Sequence, residues 1–373
     1  SLRRVVIATN VAETSLTIPN IRYVVDPGLA RISRYSARSR TKRLPIEAIS
    51  QSSANQRKGR CGRVADGVCV RLYSEEDFEE RAEFTQPEIQ RANLAEVILR
   101  MEAFHLGKIE SFPFIDPPNE ASIKAGYRML QDLGAMDAAR ELTDIGHELA
   151  RLPIDPTIGR MLLQAREEGA LTEVLAVAAA LSVQDPRERP MDAEGAADAA
   201  HQPFLDSDSD FVTLLNFWRE LESAWQRHKT QSQMRKYCRR QFLNYNRVRE
   251  WRDLHSQIRS ALKDVGRFTL NETPASYEAI HRSIATGLIT QVAERQERNW
   301  YRGVTGRRSM VFPASALFDR GGKTRRRGGP SKEEESSEKS SQPRWIVAGE
   351  FVETSQLFAR TVAKVDPLWI LEI

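Results

Sequence analysis

The sequence predicts a multidomain chain that runs α/β, then α, then β: a partial parallel sheet with a β-hairpin, a helical middle and a small barrel. Three observations predict it. Apolar strand runs surround two ordered motifs in the first eighty or so residues. From Pro87 onward apolar residues recur at three- and four-residue steps. After Phe268 the pattern changes to short strand candidates. A length of 373 residues exceeds what one core fills, so two to four domains are expected.

Val5-Val6-Ile7 reads as a buried parallel strand within 4–9, and 21–26 reads as a second strand. Alternation at 31–34 and about 41–46, around Ser36-Ala37-Arg38-Ser39-Arg40, predicts a basic β-hairpin. Residues 68–73 give the last strand of this part. Ser74-Glu75-Glu76-Asp77 then opens a short helix with a capping-box pattern. Helices are predicted over 89–104, 121–133 and 145–152, with Thr143 as N-cap of the third. More helices are predicted at 157–182, 209–228 and 232–263, the last long and basic. The segment 184–207, rich in Asp, Pro and Ala, reads as a connecting loop. Strands are predicted at 287–292, 300–304, 309–312, 344–351 and 359–365, a spacing that suits a small barrel. Between them, 319–343 carries Arg325-Arg326-Arg327, Glu333-Glu334-Glu335 and five serines. Low hydrophobicity and blocks of charge make it a disordered insertion, read as a passive linker in preference to an RNA-tethering arm.

The chemistry concentrates in Gln56-Arg57-Lys58-Gly59-Arg60-Cys61-Gly62-Arg63. Gln56, Arg60 and Arg63 stand at i, i+4 and i+7, so on a helix they share one face, with Ser53 as its expected N-cap. Two guanidiniums and an amide on one stripe grip a phosphate from several directions, and an arginine finger stabilises charge on a transferring phosphoryl group. The bland alternative is a solvated basic helix.

With these residues, residues 8–18 resemble motif V of the DEAH-box helicases, and 56–63 resemble their motif VI, Q-R-x-G-R-x-G-R. The resemblance continues through Leu142-Thr143-Asp144-Ile145-Gly146, Leu152-Pro153-Ile154-Asp155-Pro156, Ala180-Leu181-Ser182-Val183-Gln184-Asp185-Pro186-Arg187 and Glu350-Phe351-Val352-Glu353-Thr354-Ser355. The wording is most similar to the bacterial HrpA-type DEAH-box RNA helicases. It implies four domains: 1–84 as part of a second RecA-like domain with its hairpin at about 30–46, 85–155 as a winged helix, 156–265 as a helical ratchet (HA2) domain, and 266–373 as an OB-fold. Neither G-x-x-x-x-G-K-[ST] nor Asp-Glu-Ala-His occurs in the sequence. The expectation is therefore the back half of a motor, cut inside its second RecA-like domain and inactive alone.

The resemblance implies an ATP-dependent, 3'-5' RNA helicase that couples nucleotide hydrolysis to translocation and unwinding. It implies Arg60 and Arg63 as fingers on the nucleotide phosphates and Gln56 as the residue ordering the attacking water. Ser15 matches a serine responsive to nucleotide state and Thr17 one near the ribose. Thr9, Asn10 and Thr14 match positions on the RNA sugar-phosphate backbone. Pro19 departs from the family, where an Asp often contacts the ribose, which fits broad use of nucleoside triphosphates. ATP or another NTP with Mg2+ is the implied cofactor, its main metal ligands lying in an N-terminal half. Cys61 stands where relatives often carry a small residue, so a buried packing role is expected.

The net charge of +4 understates the electrostatics. Residues 22–63 sum to +9 and 227–259 to +8, leaving −13 for the rest. This reads as a polyanion-binding track on an acidic body. Its candidate RNA contacts are Arg38, Arg40, Lys42 and Arg43 on the hairpin, and Arg239, Arg240 and Arg247 in the basic helix. The interleaved aromatics Tyr237, Phe242, Tyr245 and Trp251 stand at helical spacing and read as core. Expected partners are single-stranded RNA or an RNA duplex with an overhang, with ribosome or mRNA-associated factors implied by the family. Three cysteines without C-x-x-C spacing predict neither a disulfide framework nor a zinc site. No apolar run is long enough to span a bilayer and no signal-peptide pattern is present, so the cytoplasm is the expected compartment. A monomer is also expected. The reading from a different class is a non-catalytic RNA-binding or scaffolding module.

Overall fold

The structure is a computed structural model that describes residues 4–14, 18–32, 34–36, 41–43, 46–63, 65–320, 342–353 and 356–372, without the side chains of 34–36 and 41–43. The chain forms two compact units, residues 1–94 with 110–125, and residues 95–109 with 126–373.

In the first unit, a four-residue helix α1 (Val11–Thr14) precedes β1 (Tyr23–Asp26). β2 (Leu29–Arg31), β3 (Arg34–Ser36), β4 (Thr41–Arg43) and β5 (Ile46–Ala48) follow, then α2 (Gln51–Lys58), β6 (Val68–Arg71) and α3 (Glu75–Glu80). β1 pairs in parallel with β6, Tyr23 opposite Val68 and Asp26 opposite Arg71. β2 pairs with β5 and β3 with β4, both antiparallel, so the predicted hairpin is formed in two short rungs. Ser74 caps α3 by accepting from the Asp77 N–H, as its sequence pattern predicts. The strand expected at 4–9 does not form. Val5 and Ile7 are 85% and 96% exposed, because no strand among the described residues pairs with them. Tyr23, Val25, Val68 and Val70 are exposed for the same reason: a sheet of two strands leaves a face uncovered.

The second unit begins with α4 (Ala95–Ala103); the predicted helix over 89–104 is shortened by a separate 3-10 turn at Glu88–Gln90. α5 (Glu120–Asp132), shared between the units, and α6 (Asp144–Arg151) follow. Thr143 caps α6 through the Gly146 N–H at 3.1 Å. α7 (Pro156–Glu167) and α8 (Leu171–Leu181) replace the single helix expected over 157–182. The break is Gly169, whose φ of +64° a helix interior does not accept. α8 is apolar nearly all round and buried nearly all round, which makes it the centre of the helical core.

The segment expected as a loop, 184–207, contains α9 (Glu194–His201). Its two Ala-Ala pairs, at 196–197 and 199–200, have the helix propensity that the Asp- and Pro-rich surroundings conceal. α10 (Asp210–Arg227) matches the expected 209–228. The long basic helix expected over 232–263 is two helices, α11 (Gln231–Arg240) and α12 (Tyr245–Val265), divided at Phe242 with φ +50°. Trp251 is fully buried and donates from Nε1 to the Ala176 carbonyl of α8 at 2.9 Å, a core role as its spacing predicts.

α13 (Tyr277–Gly287) and a 3-10 turn occupy 287–291, where a strand was expected; the first strand starts only at Val292. β7 (Val292–Glu297), β8 (Trp300–Gly303), β9 (Arg308–Val311), β10 (Trp345–Glu353) and β11 (Leu357–Lys364) close a barrel in the order β10-β11-β9-β8-β7, and α14 (Pro367–Leu371) ends the chain. Tyr301, Val311, Ile346, Ala348, Ala359 and Val362 fill its core. The expected disordered insertion lies outside the described residues over 321–341. Its described ends are pinned: Asn299 accepts from the Asp319 N–H at 2.9 Å and Gln342 donates to Asn299 at 2.6 Å.

A buried carboxylate joins the barrel to the helices. Asp210, 3% exposed at the start of α10, accepts from Ser315 Oγ at 2.7 Å and from the Val362 N–H at 2.9 Å. Burial raises its carboxyl above the ordinary range, against the pull of these donors. Among the described residues, no helix is long and apolar enough to cross a membrane.

Candidate nucleotide and nucleic-acid site

α2 starts one turn earlier than the sequence suggests, because Ser50, not Ser53, is its N-cap: Ser50 Oγ accepts from the Ser53 N–H at 3.1 Å. Ser50 in turn lies 3.1 Å from the Thr85 hydroxyl, which leaves its oxygen fixed for capping. The helix ends at Lys58, so Gln56, Arg60 and Arg63 do not share a helical face. Gln56 stands on the last turn, Arg60 on the following turn, and Arg63 on a bend beyond it. Two glycines, Gly59 and Gly62, explain the early stop. Gln56 and Arg63 are exposed and Arg60 is half-buried. Cys61 between them is 3% exposed, its Sγ donating to the Lys58 carbonyl, which fits the expected packing role.

The residue that sequence spacing passed over is Arg57. Its Nε donates to Glu13 Oε1 at 2.7 Å and its Nη1 to Asp26 Oδ1 at 2.7 Å. Burial alone would lower this guanidinium, but hydrogen bonds and charge from Asp26 and Glu13 raise it above its ordinary value. Asp26, 1% exposed, also accepts from the Gly28 N–H at 2.9 Å and from Tyr73 Oη at 3.2 Å. Arg57 therefore links three pieces of sequence: α1, the end of β1, and α2. The available signal was the pair of carboxylates at 13 and 26, each next to an element boundary.

The carbonyls of Thr9 and Asn10 accept the first amide bonds of α1, and Thr14 is its last residue, so all three are brought to one short turn beside α2. Ser15 and Thr17 lie outside the described residues, as do Arg38 and Arg40; Lys42 and Arg43 fall on β4, with side chains not described.

In the second unit, Arg239 and Arg240 are exposed on the last turn of α11. Arg247, on the first turn of α12, is half-buried and donates to the Asp185 carbonyl at 3.0 Å. The segment around Asp185-Pro186-Arg187 grips the α11–α12 connection. The Pro186 carbonyl accepts from the Asn244 N–H, Phe242 O accepts from the Glu188 N–H, and Arg187 pairs with Asp185 at 2.7 Å. Tyr237, read as core, is half-buried with its hydroxyl donating to Glu220 at 2.9 Å.

Four family profiles match in order along the chain: "Helicase conserved C-terminal domain" over 1–65, "Helicase associated domain (HA2), winged-helix" over 127–154, "Helicase associated domain (HA2), ratchet-like" over 155–246, and "Oligonucleotide/oligosaccharide-binding (OB)-fold" over 280–373. The chain is 46% identical over 377 residues to the ATP-dependent RNA helicase HrpA of Escherichia coli K12, covering 99% of this chain and 27% of that protein. It is 46% identical to the HrpA homolog of Haemophilus influenzae with the same coverage, and 32% identical to the human probable ATP-dependent RNA helicase DHX35, of which it covers 49%. The chain thus spans about a quarter to a half of the length of these relatives. By its motifs, its domain order and these matches, the chain belongs to the DEAH-box RNA helicase family and carries the C-terminal helicase, winged-helix, ratchet-like and OB-fold parts of its members.

Proposed function

We propose that the chain is part of a cytoplasmic ATP-dependent 3'-5' RNA helicase, in which it supplies the phosphate-sensing arginines and an RNA track. The carrying observation is the run 56–63, whose Arg60 and Arg63 follow directly on α2 while Arg57 ties that helix to the 9–14 segment. The two guanidiniums suit a triphosphate; among the described residues, no group of three or more His, Cys, Asp or Glu suits a metal. The main Mg2+ ligands are proposed to lie in the N-terminal helicase half that the family resemblance implies. ATP supplies the transferring phosphoryl group, and the roles of this chain are to hold charge against it and to order water through Gln56.

Thr9, Asn10 and Thr14 then face the RNA backbone, with Ser15 and Thr17 on the nucleotide side. Division into units 1–84, 85–155, 156–265 and 266–373 follows the same reading. Contacts to sugar and phosphate make recognition largely independent of sequence, with single-stranded RNA as the preferred partner. Without a phosphate-cradling loop, the 373-residue chain alone is expected not to hydrolyse ATP. The test is Arg60→Ala and Arg63→Ala in the full-length protein that carries this sequence. Each is expected to lower RNA-stimulated turnover by a factor on the order of 10³, by analogy with finger removal. Wild-type turnover in both variants would sink the assignment.

A further inference from the structure

The geometry points to Arg57 as a positioning residue that couples the 9–14 segment to the turn bearing Arg60, by holding Glu13 and Asp26 with one guanidinium. This rests on the reading of Arg60 as phosphate-facing and of residues 9–14 as RNA-facing.

Two halves of Arg57 act on two different segments. Its backbone carbonyl accepts from the Gly59 N–H and from the Arg60 N–H at 3.0 Å, so it forms the floor of the turn that presents Arg60. Its side chain reaches the other way, with Nε to Glu13 at 2.7 Å and Nη2 to the same carboxylate at 2.6 Å. A displacement of Arg60 is therefore carried through one residue to α1, with no intervening side chain.

Asp26 gives the coupling a fixed point. It is held by Gly28 and Tyr73 at the end of β1, so Nη1 is anchored while the Glu13 side of the fork is the side able to move. The guanidinium is planar and rigid, so fixing one N–H sets the direction of the others. α1 has only four residues and no buried residue, and a helix that short has no stability of its own. Its position depends on contacts such as Glu13 to Arg57, whose side chains are 12% and 14% exposed and so little screened. A weakly self-stable element held by the Glu13–Arg57 ion pair to a charge-sensing turn is suited to take two positions. The two ligands would bias that element in common, which is what a coupling free energy between sites requires.

The test uses the full-length protein with ATP turnover measured with and without a single-stranded RNA, and RNA affinity measured with and without a non-hydrolysable ATP analogue. Glu13→Ala is expected to lower the ratio of RNA-stimulated to RNA-independent turnover about tenfold, inside the span of ordinary couplings. The shift in RNA affinity between nucleotide states should shrink as well, and the shift in nucleotide affinity on RNA binding should shrink by the same factor, since coupling of binding is reciprocal. Glu13→Gln keeps an acceptor for Arg57 and should retain a larger share of both. A wild-type ratio in Glu13→Ala overturns the inference. So does a proportional fall of both turnovers with a lowered melting temperature, which is the mark of a merely structural pair. A wild-type protein with no ATP turnover overturns the functional reading, and this inference with it.

Discussion

Arg57 Nη1 and Asp26 Oδ1 meet at 2.7 Å, and the Asp26 side chain has no exposed surface. A buried carboxylate is tolerable only with its partners in place. Arg57→Ala leaves Asp26 with the Gly28 N–H and the Tyr73 hydroxyl, but without a compensating charge. Breaking such a pair from one side typically costs about 3–5 kcal/mol, most of it the uncompensated charge. Hydrogen exchange is expected to rise in β1, β6 and α2 before any change in the barrel amides. Unchanged protection of β1 in the variant would count against the assignment.

This pair also marks where sequence reading stopped. Spacing singled out Gln56, Arg60 and Arg63, because a period of 3.6 extends any helix pattern until something breaks it. Gly59 broke it, and the arginine off the chosen stripe turned out to be the one with partners. Caps were legible where a hydroxyl opened a capping-box pattern, as at Ser74, or preceded a clear amphipathic run, as at Thr143. Ser50 was missed because Ser52 and Ser53 offer the same chemistry two and three residues on. Strands 23–26 and 68–71 were legible, whereas 4–9 needed a neighbour to become one. The breaks at Gly169 and Phe242 are backbone decisions at positive φ, which periodicity of side chains does not register.

Two histidines set a pH dependence. Burial pushes His281, 0% exposed between Ser209 and Tyr277, down to about 4 from an ordinary 6.5. His255, packed on Trp218, is also pushed down to about 4, by burial first and then by the Arg259 charge. The unfolded chain takes up these protons near pH 6.5 and the folded chain only near 4. Their contribution to stability is therefore whole above pH 6.5 and is lost as pH falls toward 4. Each adds a slope of up to about 1.4 kcal/mol per pH unit in that window. Unfolding midpoints from pH 7.5 to 4.5 check this. His255→Leu is expected to flatten the profile, and an unaltered slope would exclude His255 as a source.

Gly287 closes α13 where it crosses α7. A Cβ there would stand 2.3 Å from the Thr157 carbonyl oxygen and 2.6 Å from Met161 Cγ. The side chain of Met161 can turn aside, but the backbone oxygen cannot without moving α7. Gly287→Ala is expected to destabilise the second unit by at least the ~1–3 kcal/mol typical of overpacking. Thermal unfolding followed by Trp fluorescence reads the change, since Trp251 lies buried against α8. Wild-type stability would show that α13 and α7 are less closely seated than described.

Binding of single-stranded RNA by the 373-residue chain itself is expected without ATP, weakly and with a steep dependence on salt. Basic residues of the hairpin and of α11–α12 carry the charge, and each neutralised phosphate releases a counterion. If roughly five phosphates are engaged, log affinity should fall against log salt with a slope of about −3 to −4 on single strands. The structure sharpens which arginines matter. Arg239 and Arg240 are exposed, whereas Arg247 already donates to the Asp185 carbonyl and holds the α11–α12 connection. Arg239→Glu with Arg240→Glu should therefore lower affinity and flatten the slope by about one to two, leaving stability intact. Arg247→Ala should instead loosen the fold near Asp185, with little change in slope. Charge reversal at Arg38, Arg40, Lys42 and Arg43 should impair unwinding by the full-length protein more than its binding, since a hairpin acts at the strand junction. Fluorescence anisotropy of a labelled strand at four or more salt concentrations separates these cases. An affinity indifferent to salt would mean that both charge clusters are solvated faces, and the RNA track would fall with them.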